Sequence, residues 1–273
     1  MKLGFKALGL VLTMSLVGCQ TVNTTSGDSV GVQRKQYMFS LLSTEQINQS
    51  SALQYQEMIQ AAASKGMVER NTPNARRLEV IGQRLIKQAP YYRADAASWP
   101  WEVNLIKSPE LNASCMPGGK IIFFSGIIEK LQLTDDEIAA IMGHEIAHAL
   151  REHSREAMSK AYALEVGKLG LVTLLGLGEQ GMQLTNAAVE YGLTLPNSRS
   201  AETEADLLGI ELAARAGYNP QAAVTLWQKM AQASSGAPPE FLSTHPASAS
   251  RINTLQAVVP KVLPIYQQAK NRY

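Results

Sequence analysis

The pentapeptide His144-Glu145-Ile146-Ala147-His148 spells H-E-x-x-H inside a stretch, Thr134 to Lys160, that reads as one amphipathic helix. Histidines four apart on a helix are separated by about 40° around its axis, so both imidazoles reach one point and can grip one divalent metal. Zinc is the metal this geometry suits best. Glu145 stands beside that metal without having to ligate it, which is where a base must be to deprotonate an attacking water. The competing reading is a pair of helix histidines that hold no metal.

A catalytic zinc takes three protein ligands and keeps one position open, so a third group must come from elsewhere. Of the four histidines, His153 lies nine residues beyond His144, about 180° around a continuous helix. It is therefore expected at the surface or at a cap, pointing away from the metal. His245 is the other candidate. Among the downstream acids, Glu202 and Asp206 stand out, because a spacing of four puts both on one helix face. One can bind metal while the other hydrogen-bonds a ligand histidine and fixes its tautomer. Alternatively, Glu202 is only an acid in a first helical turn after the Pro196-Asn197-Ser198 break, where the helix dipole favours it.

Lys2 and Lys6, followed by the apolar run Ala7 to Val17, make residues 1–18 an export signal too short to span a bilayer. Its close, Leu16-Val17-Gly18-Cys19, resembles the lipobox of bacterial lipoproteins. That resemblance implies cleavage before Cys19 and acylation of its sulfur and new amino group, with Gln20 permitting transfer to the periplasmic face of the outer membrane. Lipid chains hold a folded domain at a surface without a spanning helix. The alternative is an ordinary secretory signal with an incidental cysteine. Removing Lys2 and Lys6 turns 25 basic against 23 acidic residues into 23 against 23, and nothing in that balance points to nucleic acid. Beyond Cys19 only Cys115 remains, so no internal disulfide can form and stability must come from packing.

Residues 19–36 read as a polar tether and 37–273 as one domain. Ser43-x-x-Gln46 caps a helix running to about Ser64, and Thr72-Pro73 opens a second one that ends at Pro90. Trp101 to Phe124 reads as a small sheet, with Pro117-Gly118-Gly119 as a turn. Thr134-Asp135-Asp136-Glu137 is a capping box for the metal-motif helix, and the pattern after it is helical almost to the end. The segment Leu164 to Leu195 is apolar and glycine-rich, but Lys168 interrupts it and its unbroken pieces fall short of the ~20 residues a span needs. This argues against a membrane helix, and a helical flap over the cleft or a surface that dips into lipid is an alternative left open. No repeat of a helical solenoid is visible.

His144-Glu145-x-x-His148, then Ser198-Arg199-Ser200-Ala201-Glu202-x-x-x-Asp206, then His245-Pro246 resemble metallopeptidase family forty-eight. These are zinc proteases related to the CAAX prenyl endopeptidases and the HtpX-type heat-shock proteases, and the likeness is to their periplasmic lipoprotein branch, without a helical-repeat domain. Asn112-Ala113-Ser114-Cys115-Met116-Pro117-Gly118-Gly119 is similar to the segment before the family's edge strand, with Cys115 departing from the usual small aliphatic residue. The resemblance covers roughly Leu111 to Leu255. It implies an α+β, mostly α, gluzincin-type fold whose small sheet borders the active-site cleft with an edge strand. It also implies one zinc on His144, His148 and Glu202, Glu145 as base, and Asp206 behind the ligands. His245 or Arg199 could then donate to the oxyanion. His245 could instead sit on the open position of zinc as a plug, or be a loop histidine that only packs on Arg251, and Arg199 could pair with Glu202 or Asp206 and only shape the site. Asn112 through Met116 would accept a substrate as an added strand, which suits unfolded or misassembled polypeptides. Cys115 would be an apolar filler or a thiol near the metal. The expected activity is endopeptidase cleavage of such envelope proteins. A chaperone-like lipoprotein that binds unfolded outer-membrane proteins without cutting them is the alternative, and a cell-wall hydrolase is a weaker third. Oligomeric state stays open.

Overall fold

The computed structural model describes residues 19–26, 30–40, 42–174, 198–233, 240–246 and 248–272, with 19 and 165–174 described in backbone only. The export signal and residues 175–195 of the alternative flap lie outside the described residues. The architecture is α+β and mostly helical, as expected. Contacts divide the described residues into two compact units, one drawing on 19–23, 34–47 and 154–174, the other on 24–33, 48–153 and 198–272.

In the first unit, β1 (Cys19–Val22) pairs antiparallel with β2 (Gln36–Phe39). The stretch expected to be a tether therefore opens with paired backbone. The start of helix α1 (Thr44–Ser64), up to Ile47, belongs to this unit and the rest to the second; it starts as its sequence dictates, with Gln46 N–H donating to Ser43 Oγ at 3.2 Å and Ser43 N–H to Gln46 Oε1 at 3.1 Å. Residue 153 opens a further helix whose first turns close this unit. From them Glu156 accepts two hydrogen bonds from Arg34 at 2.7 Å each, and Gln36 donates to it at 3.2 Å.

The second unit holds a four-stranded sheet in the order β3 (Val68–Glu69), β4 (Glu102–Ile106), β6 (Lys120–Phe124), β5 (Ala113–Met116). β4 and β6 run parallel and the other pairs antiparallel, which leaves β5 at an edge. The tight turn from β5 to β6 requires left-handed backbone at Gly118 (φ 80) and Gly119 (φ 84), and a Cβ on Gly119 would lie 2.5 Å from the Trp101 ring. Helix α2 (Pro73–Ile86) is capped by Thr72, whose hydroxyl accepts from Ala75 N–H at 3.2 Å. It buries Leu78, Ile81 and Leu85. After α3 (Ser125–Lys130), the expected capping box is complete: Glu137 N–H donates to Thr134 Oγ1 at 3.3 Å and Thr134 N–H to Glu137 Oε2 at 2.9 Å.

That box starts α4 (Asp135–Leu150), which is buried on every side and lies at the centre of the core. The helix does not run on to Lys160 as the pattern suggested. It ends at Leu150, Glu152 adopts φ 50, and a separate helix, α5 (His153–Leu174), follows. Helices α6 (Arg199–Arg215), α7 (Gln221–Ala233), α8 (Glu240–Thr244) and α9 (Ala249–Ala269) complete the unit. Helix α6 crosses α4 with backbones nearly touching. A Cβ on Gly209 would stand 2.7 Å from His144 N, and one on Gly143 would stand 2.8 Å from Gly209 O. Only glycine permits this approach.

Candidate active site

Helix α4 carries His144 and His148 on one face, and the glycine crossing sets the first turns of α6 against that face. Ser198 caps α6 by accepting from Ala201 N–H at 3.3 Å, which fixes where Glu202 falls. The segment after α8 brings in His245, whose N–H donates to Phe241 O at 2.9 Å and whose ring stacks on Phe241 at 4.5 Å.

The donor atoms of His144, His148, Glu202 and His245 all lie within 4.8 Å of one another, and all four residues are buried. His144 Nε2 is 3.1 Å from His148 Nε2 and 3.3 Å from His245 Nδ1. Glu202 places Oε1 at 2.9 Å from His245 Nδ1 and 3.3 Å from His148 Nε2, and Oε2 at 3.5 Å from His144 Nε2. Zinc with bonds of 2.0–2.1 Å would space tetrahedral ligands ~3.3 Å apart. The separations cluster around that value, so the donor set fits one small divalent cation.

Asp206, one turn beyond Glu202, lies 3.1 Å from His144 Nδ1, a contact that orients the ring with Nε2 facing the donor cluster. Arg251 holds both acids of α6. Its Nε and Nη2 donate to the two Asp206 oxygens at 2.7 Å each, its Nη1 lies 2.6 Å from Glu202 Oε2, and its guanidinium covers Trp227 at 3.8 Å from the ring centroid.

Burial works against the charge of Glu202, but the facing His144, His148 and His245 outweigh it and hold the carboxyl far below its ordinary range. Asp206 is likewise lowered against burial by Arg251 and His144. For His144, burial opposes the proton, yet Asp206 and Glu202 raise its pKa to about 9. Burial drives His148 well below 6.5 despite Glu202. Glu145 is raised by burial, against the pull of His245 and His144. Its buried Oε1 has no hydrogen-bond partner among the described residues, and His245 Nε2 lies 3.4 Å from it. The cluster thus calls for positive charge where imidazoles meet carboxylate, beside a carboxyl disposed to take up a proton.

His144, His148, Glu202, Glu145, Asp206 and His245 therefore meet at one place. Arg199 does not join them: it is exposed at the start of α6, and the expected ion pair to Glu202 and Asp206 is made by Arg251 instead. Arg251 lies in the first turn of a helix capped by Ser248, six residues past His245, and that proximity was the available signal. His153 is neither exposed nor turned away. It is buried, with Nδ1 2.9 Å from His148 Nδ1, because the turn at Glu152 redirects the chain over the end of α4. Its other nitrogen lies 3.0 Å from Glu204, a carboxylate that spacing did not single out. Of the expected edge strand, Ala113 to Met116 form β5. Asn112 precedes it, accepting from Phe124 N–H at 3.1 Å through its carbonyl. A backbone hydrogen bond from Cys115 reaches Glu145, so β5 runs alongside the base. The Cys115 thiol is buried and pushed well up by burial and then by the Glu145 charge, which suits an apolar filler.

Residues 72–259 match peptidase family M48, and this segment carries α2 through most of α9 and every donor of the cluster. Among curated proteins, mitochondrial metalloendopeptidase OMA1 of Saccharomyces cerevisiae is 38% identical over 179 residues, which are 62% of this chain and 50% of the relative. The OMA1 metalloendopeptidase of Homo sapiens is 32% identical over 177 residues, 60% of this chain and 33% of the relative. The beta-barrel assembly-enhancing protease of Escherichia coli is 29% identical over 203 residues, 71% of this chain and 40% of the relative. The chain thus spans half or less of the length of these relatives. Since the match runs through the very helices that bring the histidines and the acids together, the chain belongs to peptidase family M48.

Proposed function

We propose that this chain is a metal-dependent endopeptidase in which His144, His148 and Glu202 would hold one zinc ion and Glu145 moves the proton. The observation that carries the reading is the set of donor separations near ~3.3 Å, the edge of a zinc tetrahedron, beside a buried glutamate with a raised pKa. When bound, the ion supplies Lewis acidity, acidifying the attacking water and polarising the carbonyl under attack. Glu145 takes the proton of that water and later delivers it to the leaving nitrogen; its raised pKa suits both directions of transfer. Asp206 orients His144, and Arg251 holds Glu202 and Asp206 in place. His245 shares the donor cluster, so it would either add a fourth ligand and plug the open position of the ion or, off the metal, donate to the oxyanion. Edge strand β5 offers backbone hydrogen bonds to an extended substrate, which favours unfolded or misassembled polypeptides.

We further infer that the protein works in a bacterial envelope, held to membrane lipid through Cys19. Lys2, Lys6, the apolar run and Leu16-Val17-Gly18-Cys19 support this. No helix among the described residues is long and apolar enough to cross a membrane, and a lipid anchor needs none. The test of activity is digestion of casein by the purified protein. Cleavage that a chelator abolishes and zinc restores is the expected result. A zinc-loaded protein that binds unfolded chains and never cuts them would favour the chaperone-like reading.

A further inference from the structure

Two buried histidines of the donor cluster are oriented by different means. His144 faces a carboxylate directly, through Asp206. His148 instead turns its Nδ1 toward a third imidazole, His153, at 2.9 Å. On the far side of that ring, His153 Nε2 lies 3.0 Å from Glu204 Oε2, and the same oxygen accepts from Arg151 Nε at 3.0 Å. A carboxylate so held accepts and does not donate, so His153 Nε2 carries a proton, and in the neutral ring Nδ1 is then a lone pair. The lone pair can only accept from His148, which puts the His148 proton on Nδ1 and leaves Nε2 bare toward His144 and Glu202. Each link is buried: Arg151 is 0% exposed, His153 2% and Glu204 6%.

The backbone is shaped to make this contact. Had α4 continued, His153 would project from its opposite side. Instead Glu152 takes φ 50, a conformation that residues with a Cβ rarely adopt, and Arg93 clamps the turn by donating to Glu152 Oε1 at 2.6 Å and to Leu150 O at 3.3 Å.

We propose that His153, held by Glu204 and Arg151, is a positioning residue that fixes the tautomer and orientation of His148 and thereby sets the affinity of the cluster for zinc. This rests on the metal reading above. The experiment is a zinc titration of the purified protein against a competing chelating dye, with zinc as the probe. His153→Phe keeps a ring of similar size and removes the acceptor, and should weaken zinc binding about 10–100-fold. His153→Gln restores an acceptor and should recover most of that loss. Equal losses in both variants, or none in His153→Phe, would overturn the proposal. A readout on the unaltered, zinc-free protein does not depend on either variant folding: nitrogen-15 NMR of the imidazoles should show the His148 proton on Nδ1, and finding it on Nε2 would overturn the proposal as well. If the unaltered protein binds no zinc in the titration, it is the metal reading that fails.

Discussion

At the scale of single residues, Glu145 has the sharpest assignment. It is buried, its carboxyl is raised, and among the described residues it takes part in no ion pair closer than the 3.4 Å contact to His245. Glu145→Gln preserves shape and removes the base, so turnover should fall by about 10²–10⁴ while bound zinc stays at the level of the unaltered protein. Loss of zinc together with activity would move Glu145 from base to ligand. The residues that could be read from sequence are those whose chemistry is local. The H-E-x-x-H spacing and the Glu202/Asp206 pair follow from helical geometry alone, and both meet at the cluster. Sequence placed Arg251 beside His245 but not its pairing with Glu202 and Asp206, which lie on another helix, because no spacing rule connects residues joined only by tertiary packing. Arg199 was the arginine nearest to Glu202 in sequence, yet it is exposed.

At the scale of elements, the crossing of α4 and α6 decides whether the cluster assembles. Glu202 and Asp206 reach the histidines because Gly143 and Gly209 let two backbones approach more closely than any side chain allows. Gly209→Ala should destabilise the fold by about 1–3 kcal/mol and weaken zinc binding, because its Cβ would press on backbone atoms of His144 that have no room to yield. Calorimetry and a zinc titration on the same sample check both parts; unchanged melting with native affinity would show that the crossing has slack. Helix starts were legible from sequence because Ser43, Thr72, Thr134 and Ser198 each satisfy a backbone N–H within three residues. The end of α4 was not. Leu150-Arg151-Glu152-His153 contains neither glycine nor proline, and the left-handed turn at Glu152 is held by Arg93, 59 residues away in sequence. Treating the stretch as one helix sent His153 to the wrong side.

At the scale of the whole molecule, the two compact units rest on different physics. The unit with the donor cluster is built around α4 and a large apolar core. The unit containing β1 and β2 gathers charged contacts on Glu156. Burial there raises the carboxyl, but hydrogen bonds from Arg34, Lys160 and Gln36 outweigh it and bring the pKa to about 2, below its ordinary 4.5. A depressed carboxyl stabilises the folded state above the unfolded pKa and loses that contribution as pH falls through the folded one. Acidification from about pH 4.5 toward pH 2 should therefore release residues 34–36 from α5, read as faster hydrogen exchange there, and Glu156→Gln should show the loosening already at neutral pH. Exchange that ignores both changes would contradict the role of Glu156. The central claim is the convergence of His144, His148, Glu202 and His245 on one cation. X-ray absorption of the zinc-loaded protein tests it most directly. The account predicts stoichiometric zinc bound by about four nitrogen and oxygen ligands at about 2.0–2.2 Å, dominated by imidazole; a sulfur shell at about 2.3 Å, or no stoichiometric zinc at all, would contradict it.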